Sequence, residues 1–197
     1  MKKVEHGKTF DRNAANPPAF EIFHNTVTEG YPEHWHTAIE IIMPTRGEYE
    51  VVVGKDSYNL KEGDIIMINS GVVHGMRFVS QGERIVMLVE PGCVENQEEM
   101  ETIFLRLPAI YFKKEDEEDP FYLFLRSQIL ELVREYDNEG AVMTHRICTG
   151  LKELFSEFGR KGFSDANAQN TFGAMKQQEY ICLLYTSPSP RDRSGSR

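Results

Sequence analysis

The stretch His34-Trp35-His36-Thr37-Ala38-Ile39-Glu40, followed later in the chain by His74, decides how this sequence is interpreted. If residues 34–40 form one extended strand, the side chains alternate between its two faces, so His34, His36 and Glu40 point into one interior. His74 then completes a set of three imidazoles and one carboxylate. Such a set suits a borderline divalent metal, and it equally suits the wall of a pocket for a polar ligand.

The sequence around this stretch is a series of short β-rich runs separated by glycines. The runs cover residues 19–23, 38–43, 48–53, 57–60, 64–69, 73–79 and 84–90. Gly54-Lys55-Asp56, between two of the runs, predicts a three-residue hairpin loop. Strands this short and this regularly spaced predict an antiparallel sandwich or barrel.

After residue 92 the hydrophobic period changes from that of strands to that of helices. Residues 94–107 carry apolar positions on one helical face, and Asp119-Pro120 is a helix start signal for a helix over 121–136. A turn then leads to a second helix that is expected to end at Gly159. The two later helices predict an antiparallel hairpin. The first is apolar on more than one face, so its second face either meets a partner chain or is used internally.

Composition limits the kind of protein this can be. The 197 residues suffice for one main domain, and 40% hydrophobic with 27% charged residues is compatible with a folded core. A net charge of -9, with no basic block in the first 180 residues, argues against direct contact with nucleic acid. No signal peptide and no membrane span is recognisable, which predicts a cytoplasmic protein. The three cysteines are widely spaced and predict neither a disulfide framework nor a thiolate zinc site.

The order of these segments predicts five regions along the chain. Residues 1–18 form an irregular arm, 19–92 a barrel, 93–159 a helical dimerisation region and 160–182 a linker. Residues 183–197 are rich in Ser, Pro and Arg and are expected to be disordered. This last segment also resembles translated sequencing-adapter tails, so we interpret it as non-native.

Two spaced patterns resemble those of the cupin family. They are Gly30-x3-His34-x-His36-x3-Glu40-x6-Gly47 and Gly63-x5-Asn69-x-Gly71-x2-His74. The first departs in the spacing after its leading glycine, and the second has Asn69 where the family has proline and Phe78 where it often has asparagine. The resemblance implies a mainly β fold, a cupin (double-stranded β-helix or jelly-roll) barrel, followed here by the C-terminal α-helical hairpin. In metal-dependent cupins the positions matching His34, His36, Glu40 and His74 hold iron, manganese, zinc or nickel. In non-enzymatic cupins they line a small-molecule pocket.

A wider pattern resembles the sensor half of AraC-type transcription regulators. It includes Tyr31-Pro32-Glu33-His34-Trp35-His36 and Tyr58-x-Leu60-x2-Gly63-Asp64. The resemblance implies a domain that senses a small, sugar-like or other polar effector and dimerises through helices 120–159. DNA would be contacted only by a helix-turn-helix domain that this chain lacks, and no membrane is involved.

On this interpretation the protein is not an enzyme and requires no cofactor, and the effector contacts His34, His36, Glu40 and His74. The alternative is a metal-dependent cupin dioxygenase or isomerase that uses the same four residues as metal ligands. The sequence offers no carboxylate that can be assigned to orient the three imidazoles.

Overall fold

The computed structural model describes residues 19–26, 30–93, 108–114, 118–138 and 143–161. The strands are β1 (Phe20–Asn25), β2 (Tyr31–His34), β3 (Ile39–Arg46), β4 (Tyr49–Val53), β5 (Asp56–Leu60), β6 (Ile65–Ile68), β7 (His74–Phe78), β8 (Glu83–Val89) and β9 (Ala109–Phe112). A 3-10 turn, Pro91–Cys93, follows β8. The helices are α1 (Pro120–Asp137) and α2 (Met143–Lys161).

The strands form two sheets with antiparallel pairing. One sheet has five strands in the order β1-β8-β3-β6-β9, and the other has four in the order β2-β7-β4-β5. The two helices follow the strands and pack together on the five-stranded sheet. The prediction of a mainly β sandwich followed by a helical pair is therefore confirmed.

The five-stranded sheet separates two hydrophobic cores. Because side chains alternate along a strand, Ile39, Ile41 and Met43 of β3 face the helices and belong to one core. Ile42 faces the four-stranded sheet and belongs to the other core. Glu40 shares the face of Ile42, so the sheet presents this carboxylate to the space between the two sheets.

The helical layer begins where the sequence predicts. Asp119 caps α1 by accepting a hydrogen bond from the Phe121 amide at 2.9 Å, and proline stands at the first helical position. The hydroxyl of Tyr122 donates to the Gly63 carbonyl at 2.8 Å, which ties α1 to the turn before β6. Helix and barrel are thus joined by a directed bond as well as by apolar packing.

The predicted end of the second helix is wrong. Gly159 is not a cap, because α2 continues through it to Lys161. A glycine inside a helix costs about 1 kcal/mol relative to alanine. Burial of Phe155 and Phe158, both at most 1% exposed, outweighs this local cost by far.

Other corrections concern the strands. Residues 34–40 are not one strand: β2 ends at His34, β3 begins at Ile39, and the chain crosses from one sheet to the other between them. The hairpin between β4 and β5 has a two-residue loop, because Asp56 pairs with Val53. Gly54 lies in this loop with φ 59, as such tight turns require.

Two strands were not predicted. β2 is exposed at three of its four positions, so it has no buried alternation to reveal it. β9 lies in the range assigned to the helical region and pairs with β6. Its Tyr111 hydroxyl donates to Asp64 at 2.6 Å, and the same carboxylate accepts from the Lys114 amide at 2.8 Å.

Several sequence predictions lie outside the described residues. They are the arm 1–18, the helix over 94–107, the linker from 162 onward and the tail 183–197. Within the described parts of the chain, neither helix is long and apolar enough to cross a membrane.

Candidate functional site

The four residues singled out in the sequence converge at one point between the sheets. Their ligand atoms, one from each of His34, His36, Glu40 and His74, all lie within 4.8 Å of one another. We call this set the His3Glu cluster. The predicted residues are therefore brought together, although not by the single strand that the sequence suggested.

Each member of the cluster comes from a different part of the fold. His34 ends β2 and lies opposite His74, the first residue of β7, in the four-stranded sheet. Glu40 belongs to β3 of the five-stranded sheet. His36 lies on the crossing segment that joins the two sheets. The cluster therefore bridges the sheets, and its geometry depends on how they pack.

Glu40 is the centre of the cluster. Its Oε2 atom lies 2.8 Å from Nε2 of His36 and 3.0 Å from Nε2 of His74. Glu40 and His74 are buried, at 7% and 3% exposure, whereas His34 is only half-buried. The ring of His34 lies 4.5 Å from that of His74, measured between centroids. His34 thus forms the side of the cluster nearest to solvent.

Backbone carbonyls fix the orientation of all three rings. Nδ1 of His34 lies 2.9 Å from the Pro32 carbonyl, Nδ1 of His36 lies 2.9 Å from the Ala38 carbonyl and Nδ1 of His74 lies 2.8 Å from the Val72 carbonyl. A carbonyl oxygen only accepts, so each Nδ1–H is the donor. In the neutral rings, the lone pair is then on Nε2, the atom that faces into the cluster.

Charge and burial act in opposite directions on the pKa values of the cluster. Burial alone would raise the pKa of Glu40, but the hydrogen bonds from His36 and His74 outweigh it and lower this pKa to about 2. Burial would lower the pKa of His74, yet the bond to Glu40 and its charge raise it. Burial lowers the pKa of His34, and its bond to the Pro32 carbonyl does not offset this effect. Glu40 is therefore ionised at neutral pH.

The donor set fits a divalent cation. With each Nδ1–H donated to a carbonyl, Nε2 of His36 and of His74 can face the Glu40 carboxylate only if each carries an additional proton or if a cation lies between them. Metal-bound imidazoles nearly always donate their other ring N–H to a carbonyl or carboxylate, as all three do here. His34, His36, Glu40 and His74 would be the ligands, a nitrogen and oxygen set used by first-row metals. A cation held there would act as a Lewis acid toward an oxygen of a bound molecule.

Two features of the site were missed in the sequence. The first is the set of carbonyls that orient the rings, which sequence cannot show because every residue has a carbonyl. The second is Arg84 of β8, which is fully buried on the barrel interior. Its guanidinium carbon lies 4.8 Å from the ring centroid of Tyr49 and 5.8 Å from that of Tyr31. An arginine in an apolar strand was the only available signal for it.

Comparison with known proteins identifies the barrel. The family model described as the cupin domain matches residues 25–90, a range that contains the whole His3Glu cluster. No curated protein sequence matches the chain.

Three solved structures illustrate what the fold is similar to. ToxT from Vibrio cholerae is 13% identical over 87% of this chain and 66% of its own, with a TM-score of 0.48. A conserved Streptococcus pyogenes protein of unknown function is 18% identical over 36% of this chain and 63% of its own, with a TM-score of 0.33. Bacillus subtilis oxalate decarboxylase, which has Mn(II) centres, is 20% identical over 39% of this chain and 22% of its own, with a TM-score of 0.32. The chain spans less than two thirds of the length of each of them. On the family match and the topology of its two sheets, the chain contains a cupin β-sandwich, which two α-helices follow.

Proposed function

We propose that the chain is the effector-sensing and dimerisation part of an AraC-type transcription regulator. The effector binds at the His3Glu cluster together with a divalent cation, and contact with DNA belongs to a domain outside this chain. The pattern of residues around His34 and the helical pair after the barrel support this proposal. The observation that carries it is the position of Glu40 on β3, which links the cluster directly to the helices.

The link runs through a single strand. Glu40 faces the cluster, while its neighbours Ile39 and Ile41 are 1% exposed and pack in the core that contains α1 and α2. A displacement of β3 on ligand binding therefore changes the surface on which the helices rest. Because protein cores are close-packed, such a displacement is transmitted rather than absorbed.

The helical pair is also the proposed dimer contact, through residues 120–159. α1 buries Tyr122, Leu125, Ile129 and Leu132, and its Leu130, Val133 and Tyr136 are partly buried against the same core. Among the described residues of the pair, Leu123 is the exposed large apolar side chain, at 49%. Both apolar faces of α1 are thus largely used internally, and a dimer would be formed by Leu123 with polar neighbours. Sedimentation equilibrium tests this, and a monomer at high protein concentration would exclude the dimer.

The cation is tested first, by calorimetric titration of the chain with Zn²⁺, Ni²⁺ or Mn²⁺. We expect one ion per chain, and we expect Glu40→Gln to weaken binding by at least about 100-fold, because removing a ligand costs more than the 10- to 100-fold typical of its hydrogen-bond partners. Glu48→Gln, an exposed residue between β3 and β4, is the matched control and leaves the affinity unchanged. Equal affinities of the two variants would exclude the His3Glu cluster as the metal site.

The sensor role is tested by hydrogen exchange with Zn²⁺ as the probe. Occupation of the cluster is expected to slow amide exchange in β3 and in α1, since the two share a core. Protection confined to β2, β3 and β7, with α1 unchanged, would contradict transmission to the helices.

A metal-dependent cupin oxidoreductase or isomerase is the second candidate. The convergence of three imidazole nitrogens and a carboxylate favours it, because open positions on such a metal accept substrate. Incubation of the Mn²⁺-loaded chain with oxalate under air tests the enzyme against the sensor. Oxalate consumption that is lost in Glu40→Gln would favour the enzyme over the sensor.

A further inference from the structure

One part of the barrel interior beside the His3Glu cluster is apolar but incompletely covered. On β8, Ile85, Met87 and Val89 pack against the helices, so Val86 and Leu88 point to the opposite face, toward the four-stranded sheet. Phe23 of β1 also points toward the four-stranded sheet, because its neighbour Ile22 belongs to the helix-facing core. We call Phe23, Val86 and Leu88 the apolar strip.

The register of the strands places this strip next to Glu40. Leu88 lies directly opposite Glu40, and Val86 lies opposite Ile42. Phe23 lies beside Val86 on the other side. Two residues along a strand span about 7 Å, so the strip begins at the cluster and extends about that far into the barrel.

The strip differs from the rest of the inner face in its burial. Ile42, Ile66 and Ile68 are at most 1% exposed and belong to the core between the sheets. Phe23, Val86 and Leu88 are only half-buried and are members of neither core among the described residues. Three neighbouring apolar side chains that keep contact with water inside a barrel are a surface that an apolar ligand would cover.

The charges at the two ends of the strip favour an anion. A divalent cation with three neutral imidazoles and the Glu40 carboxylate has a net charge of about +1, which attracts a negative group. Arg84, two residues beyond Val86 on the same face of β8, adds a buried positive charge at the other end. Glu21 flanks Leu88 at the outer edge and is half-buried, so the negative group of a ligand belongs on the side of Glu40 and not on that of Glu21.

We propose that the site takes a carboxylate with an apolar body, its carboxylate at the His3Glu cluster and its hydrocarbon on Phe23, Val86 and Leu88. A sugar is disfavoured, because its hydroxyl groups would lose water against the strip without gaining hydrogen bonds. The placement of the carboxylate depends on the proposed function, whereas the placement of the hydrocarbon depends on the apolar strip alone.

The test is calorimetric titration of the Zn²⁺-loaded chain with sodium butanoate, hexanoate and octanoate, and with glucose as the uncharged polar comparison. Each added methylene that is buried is expected to raise the affinity about fourfold, and glucose is expected not to bind. Val86→Thr keeps the shape of the side chain and its preference for strands, and it should weaken octanoate binding by at least about fourfold, the equivalent of one methylene. Val79→Thr is the matched control, since Val79 is 55% exposed and lies outside the strip.

Affinities independent of chain length, equal octanoate binding by Val86→Thr and Val79→Thr, or tighter binding of glucose would each overturn the proposal. Failure of the cation site is recognised separately. If the chain does not bind Zn²⁺ but octanoate binding keeps its dependence on chain length and on Val86, the metal proposal fails and the strip proposal stands. If Zn²⁺ binds tightly but the affinity for alkanoates does not depend on chain length, the strip proposal fails and the metal proposal stands.

Discussion

Glu40 sets the charge balance of the His3Glu cluster. It is a buried carboxylate within 3.0 Å of two imidazole nitrogens, and its pKa is lowered to about 2. An ionised carboxylate in this position needs positive charge nearby, from protons on the imidazoles or from a cation. The same residue would therefore control both the affinity of the proposed cation site and the pH dependence of the metal-free protein.

The stability of the metal-free chain is expected to depend on pH through Glu40 and His74. Because the pKa of Glu40 is lowered from 4.5, its contribution is present above pH 4.5 and is lost as the pH falls toward 2. Because the pKa of His74 is raised from 6.5, its contribution is present below pH 6.5 and is lost as the pH rises through the raised value. The stability difference between wild type and Glu40→Gln should therefore be largest between these two limits.

Urea unfolding of the chelator-treated chain across this pH range measures the difference, with Glu48→Gln as a control that should show no maximum. If the stability difference between wild type and Glu40→Gln instead grew steadily above pH 6.5, the stabilising role of protonated His74 would be contradicted. The affinity for a metal ion should rise with pH, whereas the stabilising contribution of His74 falls, because protons compete with the cation for the imidazoles.

At the scale of residues, the sequence indicated the four side chains whose ligand atoms lie within 4.8 Å of one another, but not the orientation of the three rings. His34, His36, Glu40 and His74 stand at distinctive spacings, and polar residues in an apolar strand region are conspicuous. The partners of the rings are the carbonyls of Pro32, Ala38 and Val72, which depend on backbone direction and have no signature in residue type.

The strand β2 is the least regular element that contributes to the cluster. Its pairing with β7 shifts register between Tyr31 and His34, and it is mostly exposed. Gly30, just before it, lies so close to β7 that an added Cβ would be 2.4 Å from the Met76 carbonyl oxygen. The position of His34 therefore depends on the close approach of β2 and β7 at this glycine.

Gly30→Ala is expected to push β2 away from β7 and to displace His34. Zn²⁺ affinity should fall about tenfold or more, a loss typical of disturbed ligand support. Gly92→Ala is the matched control, because no atom of the described residues lies within 4 Å of a Cβ added there, and it should bind normally. Equal titrations of the two variants would show that His34 is not held by the approach of β2 to β7.

The burial of each strand explains whether the sequence predicted it. The strands facing both cores, such as β3 and β6, carry dense β-branched and apolar residues that reveal them. β2 has one partly buried position and β9 has four residues, so their pairing is decided by the partner strands β7 and β6 rather than by local pattern.

For the molecule as a whole, the five-stranded sheet joins two cores into one unit. The core on its outer face contains the buried residues of α1 and α2 together with the helix-facing buried residues of β1, β3, β6, β8 and β9. The core on its inner face contains residues of both sheets. Loss of the helices would leave the outer face of the same sheet in water, so barrel and helices are expected to unfold together.

Phe155→Ala tests this cooperativity. Phe155 is fully buried in the helix-facing core, and its truncation should cost about 3–5 kcal/mol of unfolding free energy. Fluorescence of Trp35, on the segment between the sheets, and far-ultraviolet circular dichroism should shift to the same lower urea concentration. Val79→Ala, at a position that is 55% exposed and lies outside the helices, should change the stability by no more than about 0.5 kcal/mol. Separate transitions for the two signals would indicate that the barrel is stable without its helices.

The hydrogen bonds from the three Nδ1 atoms to backbone carbonyls affect how the ligand preference of such a protein can change in evolution. Backbone carbonyls hold all three imidazoles through Nδ1, and none of these three hydrogen bonds involves Phe23, Val86 or Leu88. Phe23, Val86 and Leu88 are then open to exchange by mutation without loss of the residues of the His3Glu cluster. Selection could then change which ligand the proposed site prefers while the His3Glu cluster stays fixed, which makes this barrel a suitable starting point for redesigned specificity.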